Sequence, residues 1–321
     1  MEFKEILKHC NPAAIFGARR VELTEGRGRG HRLVEVKTAA GLVATFSESK
    51  CLDIIDLSYK GVNLGFLSKN GLVAKNEPEA DSFVKYWQGG FMATCGLRNT
   101  GGSCEVNGEF FPTHGSIGLT PAENIGVDVN EHEITITGTM RETALFGHCL
   151  EMRRKIIIPS SGAEISIKDT IKNLTPEEEA VFLLYHINFG FPFLSETLKL
   201  HLPDGEVRGR TTLAQEKIAD HKKITAPIDN EPELVYFHSP SEKDVNVVLE
   251  NCGFRVNINY DNTQLPVLAQ WKCMKSGDYA LGIEPGTSLI RGRKEELENG
   301  YDIKIPAFGK LEFGVNIKLR G

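Results

Sequence analysis

Apolar and polar residues alternate with a period of two from one end of the chain to the other, and this pattern limits the possible folds. Residues 32–38 alternate, the pattern breaks at Ala39, Ala40 and Gly41, and it resumes over residues 42–46. Two such runs around a short glycine-containing turn predict a hairpin. Similar β-branched runs, separated by turn-forming residues, cover residues 133–139, 150–158, 164–172, 180–188, 245–250, 254–260, 279–284, 301–305 and 311–318.

Helical patterns are few and short, at residues 5–9, 212–222 and 293–298. A parallel sheet needs a long helical pattern between its strands, so the chain is predicted to be all-β and antiparallel, either a sandwich or a barrel. Strand patterns continue without a linker-like stretch, which favours one domain over residues 1–321. No fixed-period repeat is visible, which argues against a propeller.

Composition excludes several classes of protein. Of the 321 residues, 40% are hydrophobic and 25% charged, as in soluble globular proteins. No run approaches the ~18 apolar residues of a membrane span, and the first residues show no secretion signal. A net charge of -6 argues against nucleic acid and acidic membranes as partners. The 7 cysteines include no CxxC pair, so reduced thiols in the cytoplasm are the expectation.

The most glycine-dense segment, residues 87–102, leads into the step His114-Gly115. Glycine lets the backbone approach a ligand closely, and Arg98, Asn99 and His114 would supply polar contacts. The alternative is a set of hairpin turns with His114 at the surface.

Two later segments also place polar residues on strands. Residues 180–190 are almost entirely apolar, which is typical of a strand buried on both faces. Alternation puts His186 and Asn188 on one of those faces, where they must find partners. Residues 278–287 put Ala280, Gly282 and Glu284 on one face, leaving room for something flat beside a carboxylate. The alternatives are a hydrogen-bonded core histidine and an exposed glutamate at a strand end.

In this order, the motifs resemble those of the aldose 1-epimerase (galactose mutarotase) superfamily, and above all its divergent branch, first defined as a domain of unknown function. The resemblance spans residues from about 85 to 290 and rests on the following features: the glycine-rich stretch at 89–99, the His114-Gly115 step, Thr120-Pro121-Ala122, Leu184-Tyr185-His186-Ile187-Asn188, Gln270-Trp271 and Leu281–Thr287. It implies a large antiparallel β-supersandwich of the galactose mutarotase type.

The resemblance also implies an activity, the interconversion of the α and β anomers of a free sugar or sugar derivative. By analogy, His186 is the general acid, Glu284 the general base, His114 a ligand near the ring oxygen and Arg98 a substrate-binding residue. A base takes the C1 hydroxyl proton while an acid protonates the ring oxygen, so no metal or other cofactor is expected.

The remaining polar and aromatic candidates would bind hydroxyls and the apolar face of the sugar: Asn99, Asn188, Gln270 and Trp271.

Three other readings remain open. A glycoside-processing enzyme would need a second carboxylate, for which Glu105 and Glu123 are candidates. A non-catalytic sugar-binding protein would keep the aromatic and amide contacts without depending on a His/Glu pair. A metal site could combine Glu284 with His114, His186 and His238, although the compact HxH spacing of cupins is absent.

Overall fold

The computed structural model describes residues 3–74 and 83–321. Its helices are α1 (Phe3–His9), α2 (Phe83–Tyr86), α3 (Thr212–Glu216) and α4 (Arg293–Glu298), with short 3₁₀ turns at Pro12–Ala14, Gly26–Gly28, Ile117–Leu119 and Ile218–Asp220. The strands are β1 (Gly17–Glu22), β2 (Arg32–Lys37), β3 (Leu42–Ser47), β4 (Asp53–Tyr59), β5 (Val62–Asn63), β6 (Phe66–Leu67), β7 (Gly89–Gly90), β8 (Met92–Leu97), β9 (Cys104–Val106), β10 (Glu109–Phe111), β11 (Glu123–Val129), β12 (Glu133–Thr143), β13 (Cys149–Pro159), β14 (Glu164–Asn173), β15 (Glu179–Phe189), β16 (Lys199–His201), β17 (Gly205–Gly209), β18 (Leu234–Pro240), β19 (Asp244–Asn251), β20 (Phe254–Asp261), β21 (Val267–Lys275), β22 (Asp278–Gly286), β23 (Ile303–Ile305) and β24 (Lys310–Arg320).

Two large antiparallel sheets form the body of the molecule. Within the described residues, the first sheet has 12 strands, ordered β1-β2-β3-β4-β8-β15-β22-β21-β18-β17, with β5 paired to β4 and β23 to β15. The second has 8 strands, ordered β11-β12-β13-β14-β24-β20-β19-β16. The prediction of an all-β fold built from antiparallel sheets is confirmed.

The period-two pattern produces the core between these sheets. On β12, Ile134, Ile136 and Met140 point inward and are fully buried, while Thr135 and Thr137 between them are only half-buried. They meet Tyr185, Ile187 and Phe189 of β15 in one continuous core cluster. Each such aliphatic or aromatic side chain contributes roughly 1.5–3 kcal/mol when removed from water.

Strand β15 lies in the middle of the first sheet between β8 and β22, which explains its apolar sequence. One face of β15 packs on the second sheet, and the other carries His186 and Asn188. The register pairs His186 with Ala93 of β8 and Asn188 with Gly282 of β22. Residues opposite one another in antiparallel strands point to the same side, so this outer face gathers side chains from three strands.

Of the predicted helices, residues 293–298 are α4, and residues 5–9 lie within α1. The third prediction, 212–222, is helical only over Thr212–Glu216 and continues as a 3₁₀ turn. Among the described residues, the structure contains no helix with the length and apolar character needed to span a membrane.

Candidate active site

His186 and Glu284 meet on the outer face of the first sheet. Their Nε2 and Oε1 atoms lie 3.3 Å apart, and the two side chains are only 7% and 3% exposed. The register that pairs Leu184 with Gly286 and Ile187 with Ile283 sets the two residues opposite each other. Two motifs almost one hundred residues apart in sequence therefore form one side-chain pair.

Gly282 makes the space that the Glu284 carboxylate occupies. A Cβ atom at this position would lie 2.2 Å from Glu284 Oε1 and 3.0 Å from Trp271 Cβ. Glycine is therefore required here for the observed side-chain position, which agrees with the small-residue face predicted for residues 278–287.

The His114-Gly115 step brings a second histidine to the pair. The imidazole rings of His114 and His186 are 5.7 Å apart in a T-shaped arrangement. Both residues of the step have positive φ, 59° and 74°, and a Cβ on Gly115 would lie 2.2 Å from Gly96 O. The backbone N–H of Gly101 lies 3.4 Å from His114 Nδ1 and donates to it, so a neutral His114 carries its proton on Nε2.

Aromatic rings cover the pair. The ring of Trp87 is 5.3 Å from that of His186, and Trp271 is 5.5 Å away on another side. Phe83 stacks on Trp87 and lies 5.2 Å from the His114 ring. Trp271 Nε1 donates a 2.7 Å hydrogen bond to Glu233 Oε2. Such rings match the apolar face of a polyhydroxylated ligand.

Several buried polar atoms in this site have no hydrogen-bond partner among the described residues. They are Trp87 Nε1, His186 Nδ1, Asn188 Oδ1 and Glu284 Oε1. Leaving a buried polar group unpaired costs about 1–3 kcal/mol, and folded proteins pair nearly all of them. A cluster of such atoms indicates a site that a polar ligand completes.

Burial determines the protonation states of the site. Desolvation lowers the pKa of His186 to about 4 and, together with the nearby Glu233, raises the pKa of Glu284 well above its usual range. His114 has its pKa lowered to about 3 by desolvation, with further contributions from His186 and Arg210. Burial therefore favours the neutral pair, a carboxylic acid beside an imidazole, over two buried opposite charges.

Two candidate residues, Gln270 and His238, lie on the opposite face of the first sheet. Gln270 pairs with Ile283 and therefore faces away from Glu284; its Oε1 lies 3.1 Å from His238 Nε2, and its Nε2 donates to His221 O. The prediction that Gln270 contacts a ligand beside Glu284 is corrected by this one-residue offset along β21, because neighbouring residues of a strand point to opposite faces.

The metal site considered from sequence does not form around these residues. His238 lies with Gln270 on that same opposite face, away from His114 and His186. Across residues 3–74 and 83–321, no group of three or more His, Cys, Asp or Glu side chains is arranged to hold a metal ion.

Arg98 and Asn99 are engaged in the framework of the glycine-rich loop. Arg98 forms a bidentate pair with Glu109. Asn99 is fully buried; its Nδ2 donates to Gly102 O and Pro112 O, and its Oδ1 accepts from the backbone N–H of Arg293. The structure thus places both residues as loop anchors, since the Arg98 guanidinium pairs with Glu109 and the Asn99 amide is fully hydrogen-bonded within the loop region.

The carboxylates considered for glycoside cleavage also lie elsewhere. Glu105 is an exposed residue of β9, and Glu123 forms an ion pair with Arg141 in the second sheet. Asn188 and Trp271, in contrast, are beside the His186–Glu284 pair; alternation places Asn188 on the face of His186.

Sequence reasoning missed three contributors to this region: Trp87, Glu233 and Arg210. Trp87 heads the glycine-rich segment, so its position was a usable signal. Glu233 and Arg210 are exposed loop residues without any motif, yet both act electrostatically on Glu284. Only the tertiary fold brings them there.

Comparison with known proteins places this geometry in a structural class. A candidate aldose 1-epimerase from Klebsiella pneumoniae is similar over 95% of this chain and 83% of its own, with 22% identity and a TM-score of 0.86. A galactose mutarotase-like protein from Clostridium acetobutylicum has 13% identity, coverage of 96% and 99%, and a TM-score of 0.69. Galactose 1-epimerase from Lactobacillus acidophilus has 12% identity, coverage of 95% and 99%, and a TM-score of 0.64.

These structures share the fold, and the predicted supersandwich is thereby confirmed. No curated protein matches the sequence. The model of a family described as a domain of unknown function (DUF4432) matches residues 28–319. The chain therefore belongs to the DUF4432 family, and it has the fold of the aldose 1-epimerases.

Proposed function

We propose that this protein interconverts the anomers of a free sugar or sugar derivative by acid/base ring opening, with His186 and Glu284 as the proton-transferring pair. One observation carries the proposal: the 3.3 Å approach of His186 Nε2 and Glu284 Oε1 under aromatic rings, with further bonding capacity on both groups unused. The fold shared with aldose 1-epimerases supports the same reaction class.

The chemistry needs one shared proton. In ring opening, one group accepts the proton of the C1 hydroxyl while the other protonates the ring oxygen, and ring closure after rotation about C1–C2 reverses both transfers. The pair passes between Glu⁻/His⁺ and the neutral Glu/His form. Burial favours the neutral form in the free protein, which is the form reached after Glu284 has taken the C1 proton and His186 has protonated the ring oxygen. The site is therefore matched to the open-chain intermediate.

The surrounding residues supply binding. The neutral His114, with its proton on Nε2, donates to an oxygen near the ring oxygen. Trp271 and Trp87 present apolar surfaces to the sugar ring, and Asn188 Oδ1 offers an unused acceptor. Glu233, already bonded to Trp271, lies at the same side as Glu284 and can accept from a sugar hydroxyl.

Anomer exchange measured by NMR tests this function. A panel of free aldoses, ketoses, sugar acids and sugar phosphates is mixed with the wild-type protein, and exchange rates are corrected for the spontaneous reaction. We expect at least one sugar to exchange faster with wild-type protein, and His186→Asn to abolish the acceleration.

The matched control is His238→Asn, which changes another buried histidine on the opposite face of the sheet. It should keep the activity. Sugar binding without accelerated exchange would replace the proposal with a non-catalytic sugar-binding protein, and release of a reducing end from a glycoside would replace it with hydrolysis.

A further inference from the structure

A small cavity adjoins the proposed active site on the side of β4 and β8. It measures about 70 Å³, and its lining includes Lys50, Asp53, Gln88, Ala93 and His114. Ala93 is the register partner of His186, so the cavity lies one strand away from the pair on the same face. Its lining also includes Phe83 and Trp87 of the proposed site, so a substituent of a sugar bound there can reach Lys50.

The Lys50 ammonium group in this cavity is buried but poorly paired. Lys50 is 3% exposed, and among the described residues its Nζ makes one hydrogen bond, 3.2 Å long, to Gln88 Oε1. An ammonium group has three donors, and within the described residues no carboxylate lies within the 4 Å of an ion pair. Desolvation lowers the pKa of Lys50 to about 8; Arg27 also lowers it, and Asp53 only partly offsets the effect.

Asp53 lines the same cavity but is committed to other partners. Its Oδ2 accepts from the Thr94 backbone N–H at 2.9 Å, and its Oδ1 accepts from Thr94 Oγ1 at 2.5 Å. Arg154, itself fully buried, donates to Oδ1 at 3.0 Å. Asp53 nevertheless acts electrostatically on Lys50. It therefore disfavours a dianion such as phosphate, which carries about −1.5 to −2 at neutral pH, more strongly than a monoanion.

We propose that the substrate is an aldose carrying a carboxylate on the carbon next to the ring oxygen, a uronic acid, and that Lys50 binds this carboxylate. This inference rests on the proposed function. His114 and Lys50 share one cavity, and the exocyclic group of C5 is the substituent nearest to the ring oxygen that His114 approaches. With C1 at Glu284 on β22 and the ring oxygen at His186 on β15, the C5 substituent points toward β8 and the cavity.

Binding of matched sugars tests the inference separately from catalysis. Glucose, glucuronate and glucose 6-phosphate, with the corresponding galactose and mannose series, are titrated into the wild-type protein by calorimetry. We expect one uronate to bind about 10–100-fold more tightly than its neutral aldose, the range for a charge-assisted hydrogen bond. No uronate preference, or tighter binding of a 6-phosphate than of the uronate, would overturn the inference.

The variant Lys50→Met keeps the aliphatic stem and removes the charge. It should abolish the preference for the uronate and change binding of the neutral aldose by less than about threefold. The matched control is Lys272→Met, because Lys272 is also a buried lysine of the first sheet but donates to Asp220 O away from this cavity. An undiminished uronate preference in Lys50→Met would contradict the role of Lys50.

Two outcomes separate this inference from the proposed function. Tight uronate binding without accelerated anomer exchange would support the carboxylate site and end the mutarotase proposal. Accelerated exchange confined to neutral aldoses would support the mutarotase proposal and end the carboxylate site. If Lys50→Met does not fold, the wild-type preference and the Lys50→Gln variant decide the matter with the same criteria.

Discussion

Two polar clusters lie on opposite faces of β15, one residue apart, and differ in how completely they are hydrogen-bonded. On the inner face, Tyr185 donates to Asp169 at 2.8 Å, and Arg154 donates twice to the same carboxylate. On the outer face, His186 and Glu284 touch at 3.3 Å and leave Nδ1 and Oε1 unpaired.

The difference separates structural chemistry from functional chemistry. Arg154 and Asp169 are both buried, and their charges compensate one another, so the inner cluster connects the two sheets. In the outer cluster, His186 and Glu284 are also buried, but they do not form a pair of compensating charges. Unpaired groups stabilise nothing in the free protein, and they are expected to gain partners only when a ligand binds.

The largest effect is expected from Glu284→Gln. This change retains the shape of the side chain and removes the group that exchanges the proton. Turnover should fall by roughly 10²–10⁴-fold, the usual contribution of a positioned acid or base, while sugar binding and the free energy of unfolding change little. Kinetics by NMR and urea denaturation measure the two quantities.

The control for that variant is Glu296→Gln, which alters another buried carboxyl with a raised pKa that accepts from the Arg291 backbone. It should leave turnover intact. Wild-type turnover in folded Glu284→Gln would show that Glu284 takes no part in proton transfer.

On the inner face, Asp169→Asn should have the opposite profile. Removing the Asp169 charge leaves the buried Arg154 with Asp53 as its remaining anionic partner, so we expect a loss of about 3–5 kcal/mol in the free energy of unfolding. Turnover per folded molecule should be unchanged. Glu312→Gln, which breaks the exposed pair with Lys310, should change stability by less than about 1 kcal/mol. Equal losses from both variants would remove the distinction between buried and exposed pairs.

A smaller loss of turnover is expected from Gly282→Ala, which adds a methyl group against the Glu284 carboxylate. The new methyl group would overlap Glu284 Oε1, and the flexible carboxylate should move away from His186. We expect turnover to fall by about 10–100-fold, as when a catalytic group is misplaced by about 1 Å, with only a modest change in stability. Gly102→Ala is the control, because a Cβ there meets nothing within 4 Å. Unchanged turnover in Gly282→Ala would mean that the site tolerates a displaced carboxylate.

The two tryptophans offer a finer comparison inside the outer cluster. Trp87 Nε1 is unpaired among the described residues, whereas Trp271 Nε1 already donates to Glu233. If unpaired donors serve the ligand, Trp87→Phe should weaken sugar binding by about fivefold, one net hydrogen bond. Trp271→Phe should weaken it by less than about twofold. Calorimetric titration measures both, and the reverse order would contradict the argument.

Compared with these variants, a change of pH between about 5 and 7 should have the smallest effect on kcat/KM of the wild-type protein. Burial lowers the pKa of His186 to about 4, so the His186–Glu284 pair takes up a second proton only below that pH. Activity should decline there because the doubly protonated pair cannot accept the C1 hydroxyl proton. An unperturbed histidine would instead produce the decline near pH 6.5. Circular dichroism at each pH confirms that the protein stays folded. A decline near 6.5 would mean that His186 is not desolvated.

Local patterns were sufficient for the elements and for part of the site. Period-two alternation predicted β12, β13, β14 and β15 because the pleat alone decides which side chains are buried. The same rule placed Asn188 beside His186. It could not place Gln270, because the face of β21 that carries the ligand depends on the register of β21 with β22 and not on residue type.

The sequence by itself determined an antiparallel all-β chain with His186 and Glu284 on strands, since alternation and glycine spacing are properties of neighbouring residues. Only the tertiary structure decided that these residues meet, that Arg98 and Asn99 anchor a loop, and that Lys50 and Glu233 flank the site. The physical reason is that burial and pairing arise between segments far apart in sequence, since the paired residues of β8, β15 and β22 are 85–102 positions apart. These contacts set the desolvation and the unpaired polar atoms on which the chemistry depends.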